Sequence, residues 1–344
     1  MQNKLRTYLI GSLVLLLLVF ILSLGFGAYV FKDRSFWTVF SKALVAPDTI
    51  AASDYYVVFK IRLPRAVMGM LIGSALAVSG ATMQGMFKNP LATPSLIGVT
   101  SGASLFAALA IVLGSGIREF LPEALQYSLI SLMAFAGAML TMLFVYRVST
   151  SHKKTNVVIM LLAGVAISAL AGAITGFLTY LTDDEQLRDL TFWTLGSLGG
   201  ASWMKNLILL IVVFFSFVIL IPKGKALNAL MLGEKDAAHL GFPVEKIKRQ
   251  IIIFTALMVG VSVAFAGAIG FVGLIVPYIL RLLFRSNYYL ILPLSAVLGG
   301  ILLMAADTIS RTLVAPSELP IGILTAFLGA PVFIAILIRY KKSF

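Results

Sequence analysis

His152 and His239 are the only imidazoles among 344 residues, and there is no cysteine. That pairing removes most nucleophile and soft-metal chemistry at once. Without thiols, disulfides, cysteine metal sites and cysteine catalysis are excluded together. No HExxH surrounds either histidine, so zinc proteolysis of that kind is excluded by residue type. GxSxG is missing, and so is GxxxxGK[ST]; the chain has neither a serine elbow nor a P-loop to cradle ATP phosphates.

The charged residues are equally informative. Asp307 and Arg311 are four apart near the end of an apolar segment, a spacing that serves a local ion pair or a contact with a partner. Arg281 and Arg285 stand at another segment end, where long side chains snorkel to water. Inside the segments ionisable groups are almost missing. A proton-coupled transporter places carboxylates or histidines within its spans, so this chain fits one poorly. If the chain moves a solute, the energy comes from elsewhere, and any ATP is bound by another subunit.

The elements around these residues are apolar. The hydrophobic fraction is 60%, the charged fraction 12%, and mean hydropathy is +1.01. A bilayer core about 30 Å thick takes about 20 helical residues per crossing. Apolar runs cover residues 9–31, 66–87, 96–113, 125–146, 157–181 and 203–221. The stretch 251–280 has no charge and is too long for one crossing; Gly267, Gly270, Gly273 and Pro277 break it, so it reads as two spans meeting in a tight turn. Runs at 290–306 and 321–338 complete ten spans. No length remains for a large soluble domain, and residues 1–344 read as one transmembrane domain. The first run, preceded by Lys4 and Arg6, is too long for a signal peptide and reads as a retained span.

The net charge of +13 is a topology signal rather than a sign of nucleic-acid binding. With both termini inside, the inner segments hold 17 of the 27 basic residues and 3 of the 14 acidic ones, giving +14 inside against −1 outside. The positive-inside rule then predicts cytoplasmic termini.

Small residues recur at helical spacing. Gly69, Gly73, Ala77 and Ala81 predict close helix packing in lipid. Gly164, Ser168, Gly172 and Gly176 form a longer stripe, which suits either packing or the wall of a path for a bulky solute. The outer stretch 182–202 starts with Asp183, Asp184 and Glu185 and turns apolar, which predicts a half-helix at about 190–202 ended by Gly196, Gly199 and Gly200. The inner stretch 222–250 holds a short helix after Gly233. With Glu234, Lys235 and Asp236 at its start and Ala237, Ala238 and Leu240 on display, that helix can seat in a cleft of a partner; acidic residues suit its N-terminus.

Four segments carry a family resemblance. They are RLPR with SGATMQGMFKNPLATPSLIGVTSGA (62–103), FWTLGSLGGASW (192–203), LGEKDAAHLGFPVEK (232–246), and VGVSVAFAGAIGFVGLIVPYILR (259–281) with ELPIGILTAFLGAPVFIAIL (318–337). Together they resemble the FecCD-type permeases, membrane subunits of ATP-driven importers for ferric siderophores, haem and cobalamin. Tyr278 departs from the histidine that many relatives carry after the proline.

The resemblance implies the all-α type II ABC importer permease fold with ten transmembrane helices. It also implies a second copy around a central path, two ATPase subunits beneath, and a periplasmic or lipid-anchored substrate-binding protein docking outside. The setting is the bacterial cytoplasmic membrane. Positions matching the family's docking arginines are Arg62 and Arg311. The coupling segment falls at about 227–246, with Gly233, Glu234, Ala237, Ala238, Leu240 and Gly241 at its heart. No cofactor is implied. Haem iron takes His, Met, Tyr or Cys as axial ligand; a path without cysteine, and with both histidines in inner loops, suits weak binding during conduction. Among the substrates, the 192–203 segment favours an iron chelate, haem first, over cobalamin.

Overall fold

The computed structural model describes residues 2–29, 31, 35–45, 49–114, 116 and 122–341. Of the residues counted above for charge, Lys32, Asp33, Arg34, Asp48, Arg118, Glu119 and Lys342 lie outside these.

Helix α1 (Gln2–Gly25) is followed by α2 (Phe36–Val45) and then by a 35-residue helical rod, Ala52–Met86. The rod is α3 (Ala52–Tyr56), a widened π segment (Val57–Arg62) and α4 (Leu63–Met86). The wide turn has a cause in the sequence. Pro64 has no N–H and its ring crowds the preceding turn, and the offset ladder just before it relieves that clash. The freed Phe59 carbonyl accepts the Trp203 Nε1–H at 3.2 Å.

Next come α5 (Val99–Val112), α6 (Glu123–Ser149), a two-strand hairpin of β1 (Thr150–Ser151) and β2 (Lys154–Thr155), and α7 (Val157–Leu181). Asn156 caps α7, its side chain accepting from the Val158 and Ile159 N–H groups. Then follow α8 (Asp184–Leu195), α9 (Trp203–Leu220), α10 (Gly224–Leu232), α11 (Glu234–His239), α12 (Val244–Ala266), α13 (Val272–Phe284), α14 (Tyr288–Leu313) and α15 (Ile321–Lys341).

Among the described residues, seven helices are long and apolar enough to cross a membrane, and three shorter apolar ones, Val99–Val112, Val272–Phe284 and Ile321–Ala335, bring the number to ten. Ten apolar helices thus correspond to the ten spans expected from the sequence, in an almost wholly helical chain of the type II ABC importer permease class. The break in 251–280 differs in detail from the expectation. The turn occupies residues 267–271, with left-handed backbone at Gly267 (φ 71°) and Phe271 (φ 65°), while Gly273 and Pro277 lie within α13. Thirteen residues reach only about 20 Å, so α13 begins part-way through the bundle.

The rod is the axis. In its most apolar window 89% of residues are buried, against 67% for α12 and 56% for α14; α1, α7 and α9 are peripheral at 11%, 17% and 28%. The closest approaches are backbone to backbone. A Cβ at Gly73 would overlap the Gly299 carbonyl, and one at Gly80 the Gly273 carbonyl. Glycine here brings α14 and α13 onto α4 without intervening side chains.

Candidate functional site

The rod also defines two ends. Its N-terminal end gathers the tips of α1, α9 and α14; its C-terminal end gathers α10, α11, the hairpin and the start of α14. From Arg62 to Met86 the two clusters are about 36 Å of helix apart.

At the first end the charged residues form a network, buried except at Glu318. Arg65 donates from Nε to both oxygens of Asp307 at 3.0 and 3.1 Å, and from Nη1 to both oxygens of Glu318 at 2.8 and 2.9 Å. Asp307 also faces Arg311 Nε at 3.7 Å, so the i,i+4 pair foreseen in the sequence forms. Arg62 donates to the Leu24 and Gly25 carbonyls at 2.9 and 3.0 Å and stacks on Phe31, and Arg311 donates to the Ser23 carbonyl.

Arg62 and Arg311 are 3% and 7% exposed. The two positions that match the family's docking arginines are thus buried within the chain itself. Both point inward because the last turn of α1 leaves carbonyls without helical partners, and a cation suits that negative helix end. Hydropathy could not reveal it. The RLPR motif did flag Arg65 as a neighbour, but its carboxylate partners lie about 240 residues away and only the fold unites them.

The half-helix expected after residue 182 corresponds to α8, Asp184–Leu195, opened by Asp183 accepting the Gln186 N–H at 2.8 Å and closed by Gly196 at φ 75°. The expected range 190–202 thus captures its second half. Residues 197–202 are a loop instead, pinned by the Ser197 N–H on the Ala266 carbonyl and by the buried Leu198. Beside α8, an apolar cavity of about 620 Å³ is lined by Leu195, Ala268, Phe271, Ile323, Phe327 and Ile334, among others.

The stripe on α7 divides. Gly164 is packed, since a Cβ there would overlap the Leu96 carbonyl; Ser168 is half-buried; Gly172 and Gly176 are exposed with nothing within 4 Å of an added Cβ. The stripe is therefore a packing contact at one end and an open wall along the rest.

At the second end, α11 follows Gly233, whose φ of 154° no ordinary residue adopts comfortably and whose Cβ would press on Asp236. Ala238 and Leu240 are exposed as expected, along with Glu234, Lys235 and Asp236, and Gly241 turns the chain out at φ 86°. Ala237 does not share that face. It is fully buried, because a helix of one and a half turns needs one apolar residue toward the bundle to stay seated. Lys248, absent from the sequence candidates, lies beneath α11 with its side chain 2% exposed. Its i,i+3 relation to Glu245 was visible; its burial was not.

Among the described residues no group of three His, Asp or Glu side chains is placed to hold a metal ion. What the arrangement offers is mechanical. A rod-centred helix bundle, with an open small-residue wall, a short exposed helix at one end and a charge-locked plate at the other, is the build of a membrane permease.

The chain belongs to the FecCD transport family, whose model matches residues 15–339. It is 37% identical to the hemin transport system permease protein HmuU of Yersinia pestis, over the whole of this chain and 99% of that protein. It is 39% identical to the cobalamin import system permease protein BtuC of Halobacterium salinarum, over 88% of this chain and 79% of that protein. The vitamin B12 import system permease protein BtuC of Salmonella typhi is 40% identical, over 87% and 89%. A solved metal-chelate type ABC transporter in an inward-facing conformation superposes with a TM-score of 0.82 at 30% identity, covering 97% of this chain and 99% of that one. The chain is thus an ABC importer permease of this family, a multi-span membrane protein.

Proposed function

We propose that the whole chain, residues 1–344, is the membrane subunit of an importer for an iron chelate, haem before ferric siderophore. Two copies enclose the path, two ATPase subunits sit under α11, and a binding protein docks over the Arg65 plate. The chain contributes no ATP site of its own. It resides in the bacterial cytoplasmic membrane with both termini cytoplasmic. The charge balance supports that orientation, since Lys235, Lys246, Lys248 and Arg249 cluster at the α11 end.

The observation that carries the iron-chelate reading is coverage. Likeness to the haemin permease runs end to end, whereas likeness to the cobalamin permeases omits about an eighth of the chain. The cobalamin reading is kept alive by their similar identity. The open part of the α7 stripe supports a path-lining role there, and Gly164 closes its packed end. Arg62 and Arg311 serve docking indirectly, by holding the α1 tip under the plate.

The deciding experiment reconstitutes the chain with its ATPase and binding protein and compares haem, a ferric siderophore and cobalamin. ATP-dependent uptake stimulated by haem or the siderophore is expected. Stimulation by cobalamin alone overturns the substrate choice, and gradient-driven uptake without the ATPase overturns the importer reading.

Two substitutions probe the parts. Ala238 is exposed, so Ala238→Trp leaves the fold intact and is expected to lower uptake about tenfold or more by unseating the coupling helix; parental uptake contradicts that role. Gly176 faces open space, so Gly176→Trp is expected to assemble normally yet cut uptake about tenfold by obstructing the path. Unchanged uptake in that variant assigns the stripe to lipid.

A further inference from the structure

Lys248 is a buried ammonium held by three elements. Glu234 Oε1, on the first residue of α11, lies 2.7 Å from Nζ; Glu245 Oε1, in the first turn of α12, lies at 3.1 Å; the Thr155 carbonyl, in β2, accepts at 3.1 Å. Glu245 also takes the Thr155 N–H on Oε2 at 2.9 Å. Both backbone groups of Thr155 are therefore fixed by side chains of α12.

The linkage continues into α7. Thr155 precedes Asn156, whose side-chain oxygen accepts from the Val158 and Ile159 N–H groups at 2.9 and 3.2 Å. The hairpin itself is short, turning through His152 and Lys153 with φ of 48° and 63°, so it has little slack. Polar bonds from α11 through Lys248 to Thr155, the Thr155–Asn156 peptide link and the Asn156 cap thus join α11 to the first turn of α7, the helix that carries Gly172 and Gly176.

Such a junction transmits displacement better than an apolar contact does. Apolar surfaces slide with little change in energy, whereas charge-assisted hydrogen bonds fix distance and direction. Stability alone does not call for it, since an apolar side chain of similar volume generally serves a buried site as well as an ion pair.

We infer that Lys248 is the positioning residue that couples α11 to α7, so that a push on the coupling helix moves the wall of the path. This rests on the importer reading and adds the route by which force reaches the solute.

Glu234 and Glu245 side chains are 47% and 36% exposed. Lys248→Met therefore strands no buried carboxylate, and the variant is expected to fold. In proteoliposomes holding the complete complex, it is expected to hydrolyse ATP within about twofold of the parent while uptake per ATP falls about tenfold. Glu245→Gln, which keeps the ammonium and weakens the hold on Thr155, is expected to fall between.

The absence of cysteine allows a direct readout. Spin labels at Lys154→Cys and Lys235→Cys are expected to keep one narrow distance through the nucleotide cycle in the parent and a broadened one with Lys248→Met. Parental uptake per ATP in Lys248→Met overturns the inference, as does a parallel fall of hydrolysis and uptake, or an unbroadened distance. A parental complex without ATP-driven uptake removes the importer reading instead.

Discussion

Gly80→Ala is expected to lower the stability of the detergent-solubilised protein by about 3 kcal/mol, as overpacking at a site with no room to relax. The neighbour that the new methyl meets is the Gly273 carbonyl with its own Cα, all of it backbone. A side chain can turn away; a backbone cannot without moving α13. The matched control is Gly176→Ala, where nothing lies within 4 Å. There the methyl meets no atom, and the helix gains up to about 1 kcal/mol of propensity. Thermal or denaturant unfolding of the two variants side by side checks the pair. Equal stabilities would show that α4 and α13 do not approach as closely as described.

Arg65→Met is expected to cost about 3 to 5 kcal/mol, the penalty for stripping one partner from a buried ion pair. Asp307 is 4% exposed and loses its bidentate guanidinium, while the Arg311 Nε at 3.7 Å is too distant to replace it. Adding Asp307→Asn removes the stranded charge, so the double variant is expected to recover a large part of the loss. The same unfolding measurement on both single variants and the double one closes the cycle. Additive losses would mean that the pair contributes nothing jointly.

Both sites illustrate what a linear sequence reveals. The ten spans follow from hydropathy because lipid leaves the backbone no alternative to helix over that length. The pause at 267–271 was signalled by its glycines, though the left-handed Phe271 was not, since nothing about a phenylalanine announces such a backbone. The short helix α11 is legible through Gly233 and the acidic residues after it. Which of its alanines faces inward depended on the bundle beneath, and Ala237 took that place.

The arginines at the opposite end show the sharper boundary. Residue type and charge topology put Arg62 and Arg311 at span ends on one side, and both reach the tip of α1. Whether a guanidinium meets water or a carbonyl depends on how neighbouring helices end, and for Arg62 the answer lay in residues 24 and 25 of another helix. In sequence Lys248 is one more lysine of a basic stretch, and only the fold brings three oxygens onto its ammonium.

The attachment of α1 has a consequence for how this chain can vary. Only 11% of that helix's apolar window is buried, and its tip is gripped through the carbonyls of Ser23, Leu24 and Gly25. Carbonyls are identical whatever residue bears them. The first helix is thereby recognised by its length and its stopping point more than by its letters, leaving its lipid-facing surface free to drift or be exchanged for another greasy segment of equal reach.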